Sequence, residues 1–126
     1  MRPELVATNC TPGGNVFAAA GSVSVIGKYV SGTLITSTSD DSASANYNEA
    51  FVRCLTKGGG GFIPTNNQLQ IIYNNAAILG GFSAAYYWTV TAVSSTHNAV
   101  MDFSNGSWSS GSTDGAGYRL RCVRTL

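Results

Sequence analysis

Charged side chains are scarce in this chain of 126 residues: they make up 10% of it, and the formal net charge is +1. Bulk electrostatic attraction to nucleic acid or to a membrane surface needs a strong basic field, which this composition does not supply. The chain also lacks any apolar run of 18 residues, so it predicts no membrane insertion. Residues 1–4 lack a basic region followed by an apolar stretch, and we expect any export signal to belong to a longer parent protein.

Groups that carry reaction chemistry are equally sparse. His97 is the one histidine, and the six carboxylates are scattered without a pair set up for acid–base work. No loop spaces oxygen ligands around Asp40 and Asp41 for calcium. The glycine run 58–61 follows a helical pattern and precedes no Lys-Ser/Thr, so it indicates a flexible turn rather than a phosphate cradle. The sequence therefore favours a protein that is not an enzyme and that holds no cofactor or metal.

Neutral polar residues are abundant in place of charge. Ser, Thr, Asn and Gly make up about two fifths of the chain. Such surfaces are common on secreted and appendage proteins, and the composition indicates that class.

The chain has three cysteines. A disulfide between Cys54 and Cys122 would join a helix to the last strand and would place the protein outside the reducing cytosol. Cys10 would then be a free thiol, or its partner would lie in a missing segment or in another chain. The alternative is that all three are small buried side chains in a cytosolic protein.

Short β signals fill the first part of the chain. Residues 16–20 fit either a buried strand or a helical turn, and period-two or β-branched patterns predict strands at 22–26, 28–30 and 33–36. Gly27 and Gly32 separate these segments. Residues 37–44 predict a polar loop.

Two helices are predicted after this loop. Asn46 with Glu49, and Thr65 with Gln68, have the spacing of capping boxes. Gly58 fits a left-handed cap at the end of the first helix. The apolar faces consist of Tyr47, Ala50, Phe51, Cys54 and Leu55 in the first helix, and of Leu69, Ile72 and Tyr73 in the second.

Beyond Asn75 the pattern is β throughout. Residues 86–91 predict an aromatic and β-branched strand, and Asn105-Gly106 predicts a hairpin turn. Residues 109–117 predict a loop, and 118–124 predict the last strand. The two faces of that strand are Tyr118, Leu120 and Cys122 on one side and Arg119 and Arg121 on the other. The order of elements indicates one α+β domain over residues 1–126.

Binding is better supported than catalysis, because aromatic rings lie close in sequence to hydroxyl and amide groups. Sugars are held by an aromatic face stacked on the ring and by polar groups that bond its hydroxyls. We place the binding site on the loops at 91–98 and 108–117. The candidate ligand-binding residues are Tyr86, Tyr87, His97, Asn98, Trp108, Asp114 and Arg119. Core packing is the alternative for the aromatic residues; it is favoured for Trp88 and evenly balanced with ligand contact for Trp108.

Four segments in order resemble a known family: Gly60–Tyr73, Gly80–Thr89, Ala99–Ser107 and Tyr118–Arg124. They resemble the C-terminal domain family of the Legionella collagen-like adhesin, whose members read Leu-Pro-Thr-x-x-Glu-Leu, Tyr-Trp-Ser-Ser, Asp-Phe-Ser-Asn-Gly and Tyr-Arg-Val-Arg-Cys-Val-Arg. The resemblance covers about residues 45–126. Residues 1–44 would be a divergent first part of the same lectin-like domain or a junction to a parent stalk.

The resemblance implies a C-type-lectin-like fold, with two helices packed on a looped antiparallel sheet. It implies a disulfide between a cysteine late in the first helix, here Cys54, and one in the last strand, here Cys122. It also implies an extracellular receptor-binding tip domain on a bacterial adhesin, pilus or phage fibre, which binds cell-surface glycan without catalysis. A protein-binding or trimerising module on the same scaffold is the alternative.

The chain departs from related domains in two respects that concern ligands. The calcium-dependent sugar motifs Glu-Pro-Asn and Trp-Asn-Asp do not occur, which weighs against calcium-dependent binding. Sulfated-glycan binding, which the family shows, normally uses a basic patch. The residues that could supply one here are Lys28, Arg53, Lys57, Arg119, Arg121 and Arg124.

Overall fold

The computed structural model describes residues 5–7, 11–18, 25–57, 60–115 and 117–125, and mixes strands with short helices. The predicted α+β class is confirmed. The strands are β1 (Leu5–Ala7), β2 (Asn15–Ala18), β3 (Val25–Ser31), β4 (Leu34–Thr36), β5 (Ser42–Ala45), β6 (Tyr86–Ala92), β7 (His97–Asp102), β8 (Ser107–Ser112), β9 (Tyr118–Leu120) and β10 (Val123–Thr125). The helices are α1 (Tyr47–Thr56), α2 (Asn66–Asn74) and α3 (Ala76–Leu79). None of the helices in these ranges has the length and apolar character needed to cross a membrane.

The strands form two five-stranded sheets. The first has the order β1-β2-β3-β4-β10 and is antiparallel. The second has the order β5-β9-β6-β7-β8, and its β6–β9 pair is parallel, with Tyr87 opposite Arg119. Because β4 pairs with β10, strands β1 to β4 share a sheet with the end of the chain.

The end of the chain divides between the sheets, so the prediction of one strand over 118–124 is wrong. Strand β9 lies in the second sheet and β10 in the first, with a break at Arg121 and Cys122. At the break, the backbone of Cys122 forms hydrogen bonds with side chains. Cys122 N donates to Asp41 Oδ2 at 2.6 Å, and Cys122 O accepts from Thr36 Oγ1 at 3.1 Å. The predicted disulfide is confirmed, since Cys54 Sγ is bonded to Cys122 Sγ.

Both predicted capping boxes are confirmed. Asn46 Oδ1 accepts from Glu49 N at 2.9 Å at the start of α1, and Thr65 Oγ1 accepts from Gln68 N at 3.2 Å at the start of α2. The prediction for Leu55 is wrong, because this side chain is 48% exposed. The buried stripe of α1 centres on Ala50 and Cys54, and Leu55 lies about 100° further round the helix. The predicted cap Gly58 lies outside the described residues, as does Cys10.

The second sheet is buried on both faces by different elements. Tyr87 packs with Leu69 and Ile72 of α2. Its neighbour Trp88 packs on the opposite face with Ala50 and Cys54 of α1. Trp88 is fully buried, which confirms its predicted place in the core, and its Nε1 donates to Ala45 O at 2.9 Å.

Two elements appear where the sequence predicts loop. Residues 109–112 continue β8, which pairs with β7 in unbroken register over six residues. Residues 42–45 form β5, which pairs with β9. Serine and alanine have weak strand propensity, so these strands depend on the ladder to a neighbour rather than on local preference. The hairpin at Asn105-Gly106 is as predicted, and Gly106 N donates to Asp102 O at 2.7 Å.

Two further local predictions are wrong. Residues 76–79 form a helix, α3, where only β structure is expected; four residues are too short to show a helical period. Gly27 lies inside β3 rather than between strands. A Cβ there would lie 2.5 Å from Thr36 O, so the glycine allows β4 to approach closely.

Candidate functional site

Two of the seven predicted ligand-binding residues lie in the interior. Tyr87 is fully buried between α2 and the sheet, and Asn98 is 5% exposed. Asn98 Nδ2 donates to Thr89 O at 3.1 Å and so joins β7 to β6. Both side chains make structural contacts in this arrangement.

Tyr86 and Trp108 are exposed to similar degrees, 40% and 41%, but they face opposite sides of the sheet. Tyr86 is paired with Asp102, and Trp108 with the adjacent Met101. Directly paired residues share a face and consecutive residues alternate, so one ligand cannot stack on both rings from the same side.

His97 and Asp114 lie near the opposite end of β7 and β8. Here the predicted loops do meet, since Thr113 N donates to Thr96 O at 2.9 Å. His97 is half-buried, and its Nδ1 lies 2.9 Å from Thr96 Oγ1. Asp114 is exposed on the segment that follows β8. The predicted site residues are therefore distributed over several surfaces.

Arg119 belongs to a polar cluster that we call the Asp40 network: Asp40, Tyr87, Arg119 and Arg121. Asp40 Oδ1 accepts from Arg121 Nη2 at 2.9 Å, and Asp40 Oδ2 accepts from Arg119 Nη1 at 3.0 Å. The Tyr87 hydroxyl donates to the same carboxylate at 2.8 Å. Asp40 thus has two cations and a phenol around it: Tyr87 lies on β6, Arg119 on β9, and Arg121 directly after β9.

Arg121 connects this network to the segment before β6. Its side chain is completely buried, and its Nη2 donates to Gly81 O at 2.7 Å while Nη1 donates to Ser37 O at 3.2 Å. The guanidinium carbon lies 3.9 Å from the centre of the Phe82 ring, in a cation–π contact. A buried arginine therefore holds the backbone of residues 80–82 and one aromatic side chain in place.

These contacts help to shape a pocket of about 470 Å³, which lies between residues 80–84 and the turn after β7. We call it the Phe82–Phe103 pocket. Two phenylalanines, Phe82 and Phe103, and two serines, Ser83 and Ser104, line it. Its other lining residues are small: Ala76, Ala77, Gly80, Gly81 and Ala84. Its volume is within the range of small-ligand sites, and it combines aromatic surface with hydroxyl groups.

The two rings are positioned by aromatic packing and by backbone bonds. The centroids of Phe82 and Phe103 are 5.0 Å apart with an interplanar angle of 27°, and Phe103 lies 4.4 Å from Tyr87. Phe103 N donates to Ala85 O, and Ser83 N donates to the Tyr87 hydroxyl, both at 2.9 Å. Both sides of the pocket are thus bonded to the start of β6, one at Tyr87 within the strand and the other at Ala85 directly before it.

The sharp turn into the pocket depends on glycine. Gly80 and Gly81 have φ angles of +74° and +78°, in the region that other residues rarely adopt. A Cβ at Gly81 would also lie 3.3 Å from Arg121 Nη2. Glycine at this position therefore permits the close approach of the backbone to the buried guanidinium.

A carboxylate, that of Asp102, is bonded to the lining residue Ser104. Ser104 donates to Asp102 Oδ1 through its hydroxyl at 2.6 Å and through its backbone N–H at 2.9 Å. These two bonds lower the pKa of the Asp102 carboxyl below its usual value, so the group is anionic at neutral pH.

A second depression, of about 550 Å³, lies on the exposed face of α1. The described residues that line it come from that helix alone: Asn48, Glu49, Val52, Arg53 and Thr56. In contrast, the Phe82–Phe103 pocket draws its lining from α3, from the segment before β6 and from the turn after β7.

Within the described ranges, no three His, Cys, Asp or Glu side chains come together as metal ligands.

Sequence reasoning placed no ligand at Phe82, Ser83, Phe103 or Ser104. The available signal was the Gly80-Gly81 pair before Phe82, together with the turn motif from Asp102 to Gly106. These segments are 20 residues apart in sequence, and the β6–β7 pairing brings them together.

Comparison of the chain with protein-family models and with curated proteins found no match. The function therefore has to be inferred from the residues of the chain itself.

Proposed function

We propose that this chain is a non-catalytic binding domain that recognises cell-surface glycan in the Phe82–Phe103 pocket. The observation that carries the proposal is the lining of the pocket, in which two packed phenylalanine rings lie beside two serine hydroxyls. A saccharide ring presents C–H groups on its face and hydroxyls at its rim, and this combination matches an aromatic wall with adjacent hydroxyls.

The domain is proposed to have a C-type-lectin-like fold and to form the tip of a bacterial adhesin, pilus or phage fibre. Two features support this: α1 and α2 are the two longer helices in the described ranges, and the disulfide joins the late part of α1 to the end of the chain. The disulfide also supports an extracellular location, because such bonds persist in oxidising compartments.

A protein-binding or trimerising tip module remains the second candidate. It is favoured by the outer face of α1, where Val52 is 56% exposed and Leu55 is 48% exposed. Apolar side chains grouped in this way are typical of surfaces that contact another protein. A complex with target-cell protein that survives enzymatic removal of glycan, and that is lost in Val52→Asp, would favour this candidate.

A glycan array tests the main proposal with two matched variants. Ala84 lines the pocket and is exposed, so Ala84→Trp should fill the pocket without disturbing the core. Ala92 is exposed at the far end of β6 and serves as the control position, as Ala92→Trp. We expect the unmodified protein and Ala92→Trp to bind the same saccharides and Ala84→Trp to lose them.

Folding of each variant is checked by circular dichroism. If the folded, unmodified protein binds no saccharide, glycan recognition is wrong. If Ala84→Trp binds as well as the control, the site lies elsewhere.

A further inference from the structure

The described cations of the chain are engaged with partners or lie away from the Phe82–Phe103 pocket. Lys57 pairs with Asp41, and Lys28 Nζ donates to Leu79 O at 3.1 Å. Arg53 is on α1 and Arg124 on β10, and neither lines the pocket. The described basic residues therefore do not form a patch at this site.

Arg121 is the cation whose contacts reach the pocket lining, but it cannot meet a ligand. Its side chain is completely buried behind Gly81 and Phe82, and its N–H groups are directed at Asp40 and at backbone carbonyls. Arg119 is 30% exposed, and its Nη1 is paired with the same aspartate at 3.0 Å. Two guanidinium groups thus share Asp40, and neither is directed into the pocket.

The described residues that line the pocket carry no charge. Asp102 does not line the pocket, but its Oδ1 accepts two bonds from the lining residue Ser104. The remaining lining consists of phenylalanine, alanine, glycine and serine. An anionic group that entered would lose hydration without gaining a cation from any of the described lining residues.

We infer that the Phe82–Phe103 pocket selects uncharged saccharides and rejects sulfated and sialylated ones. This inference rests on the proposed glycan-binding function and narrows it to a chemical class. Discrimination of this kind comes from the unpaired charge of the wrong ligand rather than from added contacts to the right one.

The test uses matched oligosaccharides: each neutral saccharide that binds on an array is compared with its own sulfated and sialylated derivatives. We expect each anionic derivative to bind at least about tenfold more weakly than its neutral parent, since it leaves a charge unpaired. The affinity for the neutral parent should differ by no more than about a factor of two between low and high concentrations of NaCl, because no ion pair contributes to its binding.

Ala84→Lys supplies the missing cation, and Ala92→Lys is the matched control. We expect Ala84→Lys to recover binding of the sulfated derivative and Ala92→Lys to leave the preference unchanged. A sulfated derivative that binds the unmodified protein as tightly as its parent, with affinity that falls in high salt, would overturn the inference while leaving glycan binding intact. Absence of binding to every saccharide would overturn the proposed function and this inference together.

Discussion

The sequence predicts that Tyr87 contacts a ligand, whereas in the fold this side chain is buried and joins other residues through hydrogen bonds. It follows the exposed Tyr86 and precedes the buried Trp88. In an ordinary two-faced strand, one of two neighbours would face solvent, but here α1 and α2 cover opposite faces of the sheet. The Tyr87 hydroxyl donates to Asp40 and accepts from Ser83 N, so it connects the Asp40 network with the pocket.

The ionisation of Tyr87 predicts a loss of stability at high pH. Burial, with further contributions from Asp40, raises the pKa of Tyr87 to about 12. In the unfolded chain a tyrosine ionises near pH 10. The stability that Tyr87 contributes through its raised pKa is therefore fully present below pH 10 and is lost as the pH rises towards 12. We expect the free energy of unfolding to fall by up to about 2–3 kcal/mol over this range from Tyr87 alone.

Urea unfolding at pH 9, 10, 11 and 12 measures this effect in Tyr87→Phe and in Tyr86→Phe. The first variant should show a smaller decrease with pH, and the second, at an exposed position, should behave like the unmodified protein. An equal slope in both variants would contradict the assignment to Tyr87.

The segments that surround the Asp40 network depend on one another through Arg121. This residue follows β9 directly, and it bonds the segments on either side of the network at Ser37 and Gly81. The alternation of Tyr118, Leu120 and Cys122 with Arg119 and Arg121 is a local pattern and is confirmed: the first three pack with α1, and both arginines bond Asp40. That both arginines share one aspartate could not be predicted, since Asp40 lies about 80 residues earlier.

Arg121→Met should therefore be much more destabilising than Arg119→Met. Loss of Arg121 leaves a largely buried carboxylate with one cation and leaves backbone carbonyls unpaired, which costs about 3 kcal/mol or more. Arg119 is 30% exposed, and its removal should cost about 1 kcal/mol or less.

Urea denaturation of the two variants at pH 7 measures the difference, with the slope of the transition used to check that unfolding stays two-state. Equal losses of stability would show that Arg121 is not the main link between these segments.

Across the whole molecule, the Cys54–Cys122 bond joins α1 to the point where the chain passes from one sheet to the other. Its partners are 68 residues apart in sequence. In the chain-entropy account, closing a loop of this length stabilises the fold by about 4 kcal/mol, because it restricts the unfolded chain.

Replacement of both cysteines, in Cys54→Ala/Cys122→Ala, should lower the free energy of unfolding by about 4 kcal/mol. The unmodified protein in excess dithiothreitol should lose a similar amount, whereas the variant should not respond to the reductant. Cys10 is retained in both and controls for other thiol chemistry. Free thiols at Cys54 and Cys122 in mass spectra of unreduced peptides would contradict the bond.

The sequence by itself determined the features that local chemistry specifies: the capping boxes at Asn46 and Thr65, the hairpin at Asn105-Gly106 and the alternating faces of residues 118–122. Each depends on residues within a few positions of one another. Tertiary structure alone decided the positions of β5, β8 and α3, the burial of Tyr87, and the Phe82–Phe103 pocket. Strand pairing and the covering of both sheet faces join residues that are far apart in sequence. No short stretch of residues therefore determines the energies of these contacts.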